Sequence, residues 1–288
     1  MTCTVPTPTT PVVLAPLTQP LRDLAAWVSY FRQADIPVLG NTSDALEAMR
    51  ANEDDVDANL IGEMVADDPL MTLKVLAYAA ANRPPRLVTD VETVTAAVVL
   101  MGISPFFGAF GLQPSIEDRL ADQPEALQGL NEVMRRAHRA AHFALAFAIH
   151  RMDHDAAVIY EAALLHDFAE MLLWCHGPAL ALQLRAAQKA DPTLRSRAAQ
   201  VNLLNVDLAE LQQALMKAWT LPELLIRITD DRHADHPSVK SVVLAIRLAR
   251  HSAVDWDNAA IPDDIVELSQ LLNLSLAATM KFVRELDG

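Results

Sequence analysis

Apolar residues along this chain recur at helical spacing, and no stretch alternates with period two for long enough to indicate a sheet. Leu60, Ile61, Met64 and Val65, for example, share one helical face. The only strand-like runs, VTAAVV and SVVLAI, have helical flanks. Apolar residues make up 52% of the chain and aromatic residues only 5%, a mixture that favours helices. We therefore predict an all-α multi-helix bundle of about ten helices.

The 288 residues divide into three parts by composition. Residues 1–34 form a Pro/Thr-rich tail and a leading helix, residues 35–125 an N-terminal helical part, and residues 126–288 a second helical bundle. We expect the two helical parts to pack together as subdomains. Asp67-Asp68 before Pro69 is predicted to cap one helix, and Thr42-Ser43-Asp44 to cap another. The segment from Ala126 to Arg151 predicts one long Ala-rich helix.

Residues 93–116 are the one candidate for a membrane-spanning segment, because they contain no charged residue. This length approaches that of a spanning helix. However, Gly102, Gly108 and Gly111 interrupt the segment, and Ser104-Pro105 should end a helix near Ile103. We predict a buried helix followed by a tight connector.

The charge of the chain excludes several partners. A formal net charge of −14 repels nucleic-acid phosphates and anionic lipids, so we expect neither a nucleic acid nor a membrane as partner. The two cysteines, Cys3 and Cys175, form no disulfide framework, which favours the reducing cytoplasm. The first residues lack the basic and apolar regions of a secretory signal.

The run EAALLHDFAEMLLW, residues 161–174, combines a strongly apolar sequence with three ionisable groups. If the run is one helix, steps of 100° place His166, Asp167 and Glu170 on a common arc. A buried arc of this kind needs partners for its charges. The three groups therefore form a metal site, the remains of one, or a satisfied polar cluster.

Four motifs in order resemble one known family. Residues 164–170, LLHDFAE, resemble the LLHDIGK signature of HD-superfamily metal-dependent phosphohydrolases. Residues 68–76, DPLMTLKVL, are similar to the DPxLTxxLL segment of the HDOD branch of that superfamily. Residues 91–102 are similar to its helix ending in Leu-Gly, and residues 219–222, WTLP, match its WxLP turn. The resemblance covers about residues 35 to 255 and implies an HD-related, all-α fold.

The resemblance also implies a metal site, which we test residue by residue. His138 stands where the first His ligand belongs, and His166 and Asp167, the HD pair, fill the next two positions. The last ligand should be an Asp on the SVVLAIRLAR helix, but residues 237–254 contain no acidic residue, and Ile246 or Arg247 stands in its place. We therefore predict a degenerate metal site of His138, His166 and Asp167.

Two further departures argue against hydrolysis. The family's Lys is Glu170 here, which would repel a substrate phosphate. The paired histidines expected after the WxLP turn are replaced around Asp230-Asp231-Arg232. The sequence contains no glycine-rich phosphate loop and no GxSxG motif. We predict no catalytic residues.

His138, His142 and the histidines of residues 229–236 can also be explained without a metal site. His142 is predicted to lie on a solvated helix face, while His138 lies at the edge of the apolar side. The loop of residues 229–236 is predicted to be a hydrated connector between helices.

We conclude that the sequence favours a non-catalytic HDOD module of bacterial signal transduction, which regulates through protein or small-ligand binding. Its expected partner is a signalling protein in trans, and no cofactor is expected. The alternative is a residual metal-dependent phosphohydrolase that holds a divalent metal with His138, His166 and Asp167, and with Asp230 or Asp231 as substitute ligand. A purely structural helical protein is the third hypothesis.

Overall fold

The protein is described here by a computed structural model that covers residues 14–83, 90–191 and 194–287. These residues form an all-α, multi-helix fold, as the sequence predicted. The described residues include no β-strand, and one parallel bridge joins Val38 to Ser115. Residues 1–13 of the predicted Pro/Thr-rich tail, which include Cys3, lie outside the described residues.

The described residues form seventeen α-helices and two single-turn 3₁₀ helices, Glu53–Asp55 and Asp231–His233. In chain order the α-helices are α1 (Leu24–Gln33), α2 (Gly40–Ala51), α3 (Ala58–Ala66), α4 (Pro69–Ala81), α5 (Val94–Met101), α6 (Ile103–Ala109), α7 (Ile116–Arg119), α8 (Pro124–His150), α9 (Ala156–Leu164), α10 (Phe168–His176), α11 (Pro178–Ala190), α12 (Ser196–Leu204), α13 (Leu208–Ala218), α14 (Glu223–Ile228), α15 (Pro237–His251), α16 (Ile261–Leu272) and α17 (Leu276–Leu286). The prediction of about ten helices was too low, because tight turns divide several apolar runs into shorter helices.

Carboxylates set where the first helices begin. Asp68 is fully buried, and its side chain accepts hydrogen bonds from the Leu70 and Met71 amides at 2.9 and 3.0 Å, which confirms the predicted cap of α4. The same carboxylate accepts the Leu39 amide at 2.7 Å, and Glu117 accepts the Gly40 amide at 2.8 Å. These distant acceptors satisfy the first amides of α2. The helix therefore begins at Gly40, and the cap predicted at Thr42-Ser43-Asp44 was wrong.

The long helix α8 confirms the predicted Ala-rich helix and lies at the centre of the molecule. It packs against α9, α10, α11, α15 and α17. The packing is tight at Gly129, where an added Cβ would lie 2.5 Å from Cη2 of Trp174 on α10. One hydrophobic cluster contains buried side chains from Trp27 to Val283, and so draws on both predicted helical parts.

The uncharged segment folds as two short helices, α5 and α6, on either side of Gly102. Gly102 ends α5 with a φ of 82°, a conformation that favours glycine. Pro105 lies within the first turn of α6, so the new helix begins at Ile103 rather than ending there. None of the helices in the described part of the chain has the length and hydropathy needed to cross a membrane.

Candidate functional site

The HD pair lies in a turn between two helices. The amide of Leu165 donates to the Glu161 carbonyl at 2.9 Å, and the amide of His166 donates to the Ala163 carbonyl at 3.3 Å. α9 therefore ends in a tight turn, and α10 begins at Phe168. The expectation that residues 161–174 form one helix was wrong. The side chains of the pair are nevertheless brought together, because the turn directs both of them into one cavity.

The Asp167 carboxylate is surrounded by cations from two other helices. Arg250 of α15 donates to its Oδ1 at 2.7 Å, and Arg136 of α8 donates to its Oδ2 at 3.4 Å. The Asp167 side chain is only 9% exposed. Burial by itself raises the pKa of a carboxyl, but Arg250, His166 and Arg136 together hold the pKa of Asp167 well below its usual range. Asp167 is therefore an ionised and fully engaged carboxylate.

His166 has an acidic partner at each ring nitrogen. Its Nδ1 lies 3.1 Å from Asp167 Oδ1, and its Nε2 lies 3.0 Å from Oδ1 of Asp231, in the 3₁₀ turn before α15. Burial lowers the pKa of His166, but the two carboxylates outweigh burial and raise this pKa to about 9. At neutral pH the ring is an imidazolium that donates from both nitrogens.

Glu170 completes the cluster on the first turn of α10. Its Oε2 accepts from the Arg136 guanidinium at 3.3 Å, so Arg136 joins Glu170 to Asp167. We call the six residues of this cluster the ion-pair network. They are Arg136, His166, Asp167, Glu170, Asp231 and Arg250.

The structure places His138 in a different environment from the HD pair. It interacts electrostatically with Asp67, after α3, and with His142, one turn further along α8. Burial lowers the pKa of His138, and Asp67 opposes that shift. His142 is exposed on α8, in agreement with the predicted solvated face. Within the described ranges, no group of three or more His, Cys, Asp or Glu residues is arranged to hold a metal ion.

The chemistry of the network does not fit a divalent metal. A metal-binding histidine must be neutral and offer a lone pair, whereas both ring nitrogens of His166 donate to carboxylates. Both oxygens of Asp167 accept from guanidinium groups. Arg136 and Arg250 also bring positive charge to the place where a cation would bind. We therefore derive no catalytic step through a metal.

Sequence reasoning missed the two arginines of the network. It considered Arg247 at the position of the lost carboxylate, but Arg247 pairs with Asp264 and Glu267 of α16, at 2.7 and 2.8 Å. Arg250, one turn further along α15, is the residue that reaches Asp167. The sequence did contain one indication of them. Asp167 and Glu170 lie in an apolar run, and buried carboxylates require cations from elsewhere in the fold.

A cavity of about 420 Å³ lies beside the ion-pair network. Its other walls come from α11, α12 and α13. The Gln212 side chain of α13 lines this cavity and is 4% exposed. An amide that lines a cavity can hydrogen-bond with water or with a ligand. The cavity therefore offers an amide donor and acceptor beside a floor of paired charges.

Comparison with known proteins supports the architecture. A family model described as the HDOD domain matches residues 36–235. The crystal structure of the MmoQ response regulator from Methylococcus capsulatus is similar, with a TM-score of 0.61 and 18% identity, and the match covers 83% of this chain and 98% of that chain. A virulence factor from Campylobacter jejuni is similar with a TM-score of 0.58 and 18% identity, and 90% of each chain is covered. None of the curated proteins matches the sequence.

Proposed function

Because the chain belongs to the HDOD family, we propose that it is a non-catalytic regulatory module of bacterial signal transduction, which acts through protein or small-ligand binding. A cytoplasmic signalling protein in trans is the partner that we propose. The similar fold of a protein named as a response regulator supports a role in signalling.

One observation carries the non-catalytic part of the proposal: the charges of the HD pair are all engaged by protein groups. Metal-dependent hydrolysis requires an ion that activates water and neutralises the phosphate. Here the Arg250 guanidinium lies 2.7 Å from the Asp167 carboxylate, and His166 is held as a cation by Asp167 and Asp231. The HD pair thus stabilises the junction of α8, α9, α10 and α15.

The small-ligand part of the proposal rests on the cavity beside the network. A charged ligand would compete with the existing ion pairs for the arginines and carboxylates there. A neutral polar ligand would not, since the Gln212 amide can both donate and accept. We propose that a ligand of this cavity is neutral and polar.

The second candidate function is a residual metal-dependent phosphohydrolase. It is favoured by the contact between Asp231 and His166, because Asp231 is one of the two residues expected to substitute for the missing carboxylate. The other, Asp230, pairs with the Arg232 guanidinium at 2.7 and 2.8 Å. A phosphohydrolase built on Asp231 would require His166 to lose its proton and both carboxylates to release their partners.

Metal content and phosphodiester hydrolysis separate the two functions. We expect the purified protein to hold less than stoichiometric Mn, Fe, Mg or Zn, and to leave bis(p-nitrophenyl) phosphate intact when each metal is added. His166→Ala and His138→Ala should leave the metal content unchanged. Stoichiometric metal that both substitutions remove, together with hydrolysis by the unmodified chain, would establish the enzyme and overturn the proposal.

A further inference from the structure

We propose that the exposed apolar face of α5 and α6 docks a basic amphipathic helix of a partner protein. The face is formed by Val99 and Leu100 of α5 and Pro105 of α6. This inference rests on the proposed regulatory function in so far as it names the chemistry of the protein partner. It uses no residue of the ion-pair network.

The apolar side chains of the face are unusually exposed to solvent. Val99 is 67% exposed and Leu100 37%. The opposite side of α5 is buried, with Val94, Ala97 and Val98 packed in the core. α5 is thus apolar on both sides, and no charged residue occurs between positions 93 and 116. Grouped apolar side chains on a surface of this kind mark interaction sites more often than isolated ones do.

The face is supported by fixed contacts, so it is formed before a partner arrives. The buried carboxyl of Glu161 on α9 accepts the Val94 amide at the start of α5, at 2.8 Å. On the other side, Gly62 of α3 lies directly against Thr95, where an added Cβ would be 2.3 Å from Oγ1. A rigid docking surface lowers the entropic cost of binding.

An acidic segment runs along one edge of the face. Glu53, just before α3, hydrogen-bonds Ser104 of α6, while Gly62 of α3 contacts Thr95 of α5. These two contacts place the segment from Glu53 to Gly62 beside α5 and α6. Residues 44–67, which include α3, contain eight carboxylates and a single basic residue, Arg50. Most of these carboxylates are exposed.

The charge of this edge selects the occupant. A helix with apolar residues on one side can bury the face, and Lys or Arg residues on its flank would meet the carboxylates of this acidic segment. A second copy of this chain would instead bring a net charge of −14 toward the same acidic edge. An anionic membrane surface would be repelled for the same reason.

A pair of synthetic peptides tests the proposal on the full chain. The probe is a fluorescently labelled helix of about 18 residues with Leu on one face and Lys on the other, a length of five turns. The control peptide has the same Leu pattern with Glu in place of Lys. We expect fluorescence anisotropy to show binding of the Lys peptide, at least about tenfold weaker binding of the Glu peptide, and weakening of Lys-peptide binding by added salt.

Two variants with a new surface lysine locate the binding. Val99→Lys should weaken binding of the Lys peptide by about tenfold or more, because it adds a like charge to the centre of the face. The matched control is Val201→Lys, since Val201 is a valine of α12 that is 45% exposed, and it should bind as the unmodified chain does. Circular dichroism melting should show that both variants fold.

Four outcomes would overturn the proposal. They are the absence of Lys-peptide binding, equal binding by Val99→Lys and Val201→Lys, dimerisation of the unmodified chain that Val99→Lys abolishes, and binding to phosphatidylserine vesicles that Val99→Asp abolishes. None of them depends on metal content or hydrolysis. The docking surface can therefore fail while the non-catalytic function stands, and the reverse also holds.

Discussion

Single residues decide what the HD pair can do. The sequence motif is retained in His166 and Asp167, but the positive charge beside it comes from the side chains of Arg136 and Arg250. A guanidinium can donate to several oxygens, but it cannot activate water as a metal ion does. The same two residues that form part of a catalytic site in HD-superfamily hydrolases therefore join helices in this chain.

Removal of the central carboxylate should destabilise the fold. Asp167→Ala leaves His166, Arg136 and Arg250 without their shared acceptor, and we expect a loss of about 1–3 kcal/mol in the free energy of unfolding. Urea denaturation measures it. Asp235→Ala, in an exposed turn of the same region, is the control and should change stability by less than about 0.5 kcal/mol. Equal stability of the two variants would mean that the ion-pair network contributes nothing to the fold.

The sequence predicted the part of the site that lies in one local motif, but not the residues that come from distant helices. The HD motif identified His166 and Asp167, and the structure places Glu170 beside them, where it shares Arg136 with Asp167. Arg136 and Arg250 lie 31 and 83 residues from Asp167 along the chain, so no spacing rule connects them to it. His138 was assigned by resemblance alone, and in the structure it lies near Asp67.

At the scale of helices, periodicity predicted their type better than their ends. α8 agrees with the predicted long helix because one continuous stripe of apolar residues faces the core. The run of residues 161–174 has an equally apolar sequence but contains a turn, because the HD pair points into the cavity rather than along a helix face. The start of α2 depends on Asp68 and Glu117, which are distant acceptors that no local cap signal reveals.

The contact between α8 and α10 gives a prediction at this scale. Gly129→Ala places a methyl group against the Trp174 ring, and we expect overpacking to cost about 1–3 kcal/mol in the free energy of unfolding. Gly108→Ala on α6 is the matched change, because an added Cβ there meets nothing within 4 Å. It should be neutral or stabilise by up to about 1 kcal/mol through helix propensity. Thermal or urea unfolding compares the two, and a neutral Gly129→Ala would contradict the close packing.

At the scale of the whole molecule, two buried groups determine how stability depends on pH. The carboxylates of Asp167 and Asp231 outweigh burial and raise the pKa of His166 to about 9, and burial raises the pKa of Glu161 to about 8. A group whose pKa is higher in the folded state contributes stability that is lost as pH rises through that value. We therefore expect the free energy of unfolding to fall from pH 6.5 to pH 8.

Two other buried groups limit the pH range over which this fall is expected to pH 6.5–8. Burial lowers the pKa of His176 to about 4 and that of Lys74 to about 8, so their contributions have the opposite sign below pH 6.5 and above pH 8. Urea denaturation at a series of pH values measures the slope. Glu161→Gln should make the slope shallower, since the amide keeps the acceptor for Val94 without titrating. A free energy of unfolding that rises across this window would refute the assignment.

The central claim is that protein cations have taken the place of a metal at the HD pair. The most direct measurement is the ¹⁵N NMR spectrum of the His166 ring, assigned by comparison with His166→Gln. We predict the imidazolium pattern, with both nitrogens protonated near pH 7, and no change when Mg²⁺ or Zn²⁺ is added. A neutral His166 ring whose resonances shift on metal addition would contradict the claim.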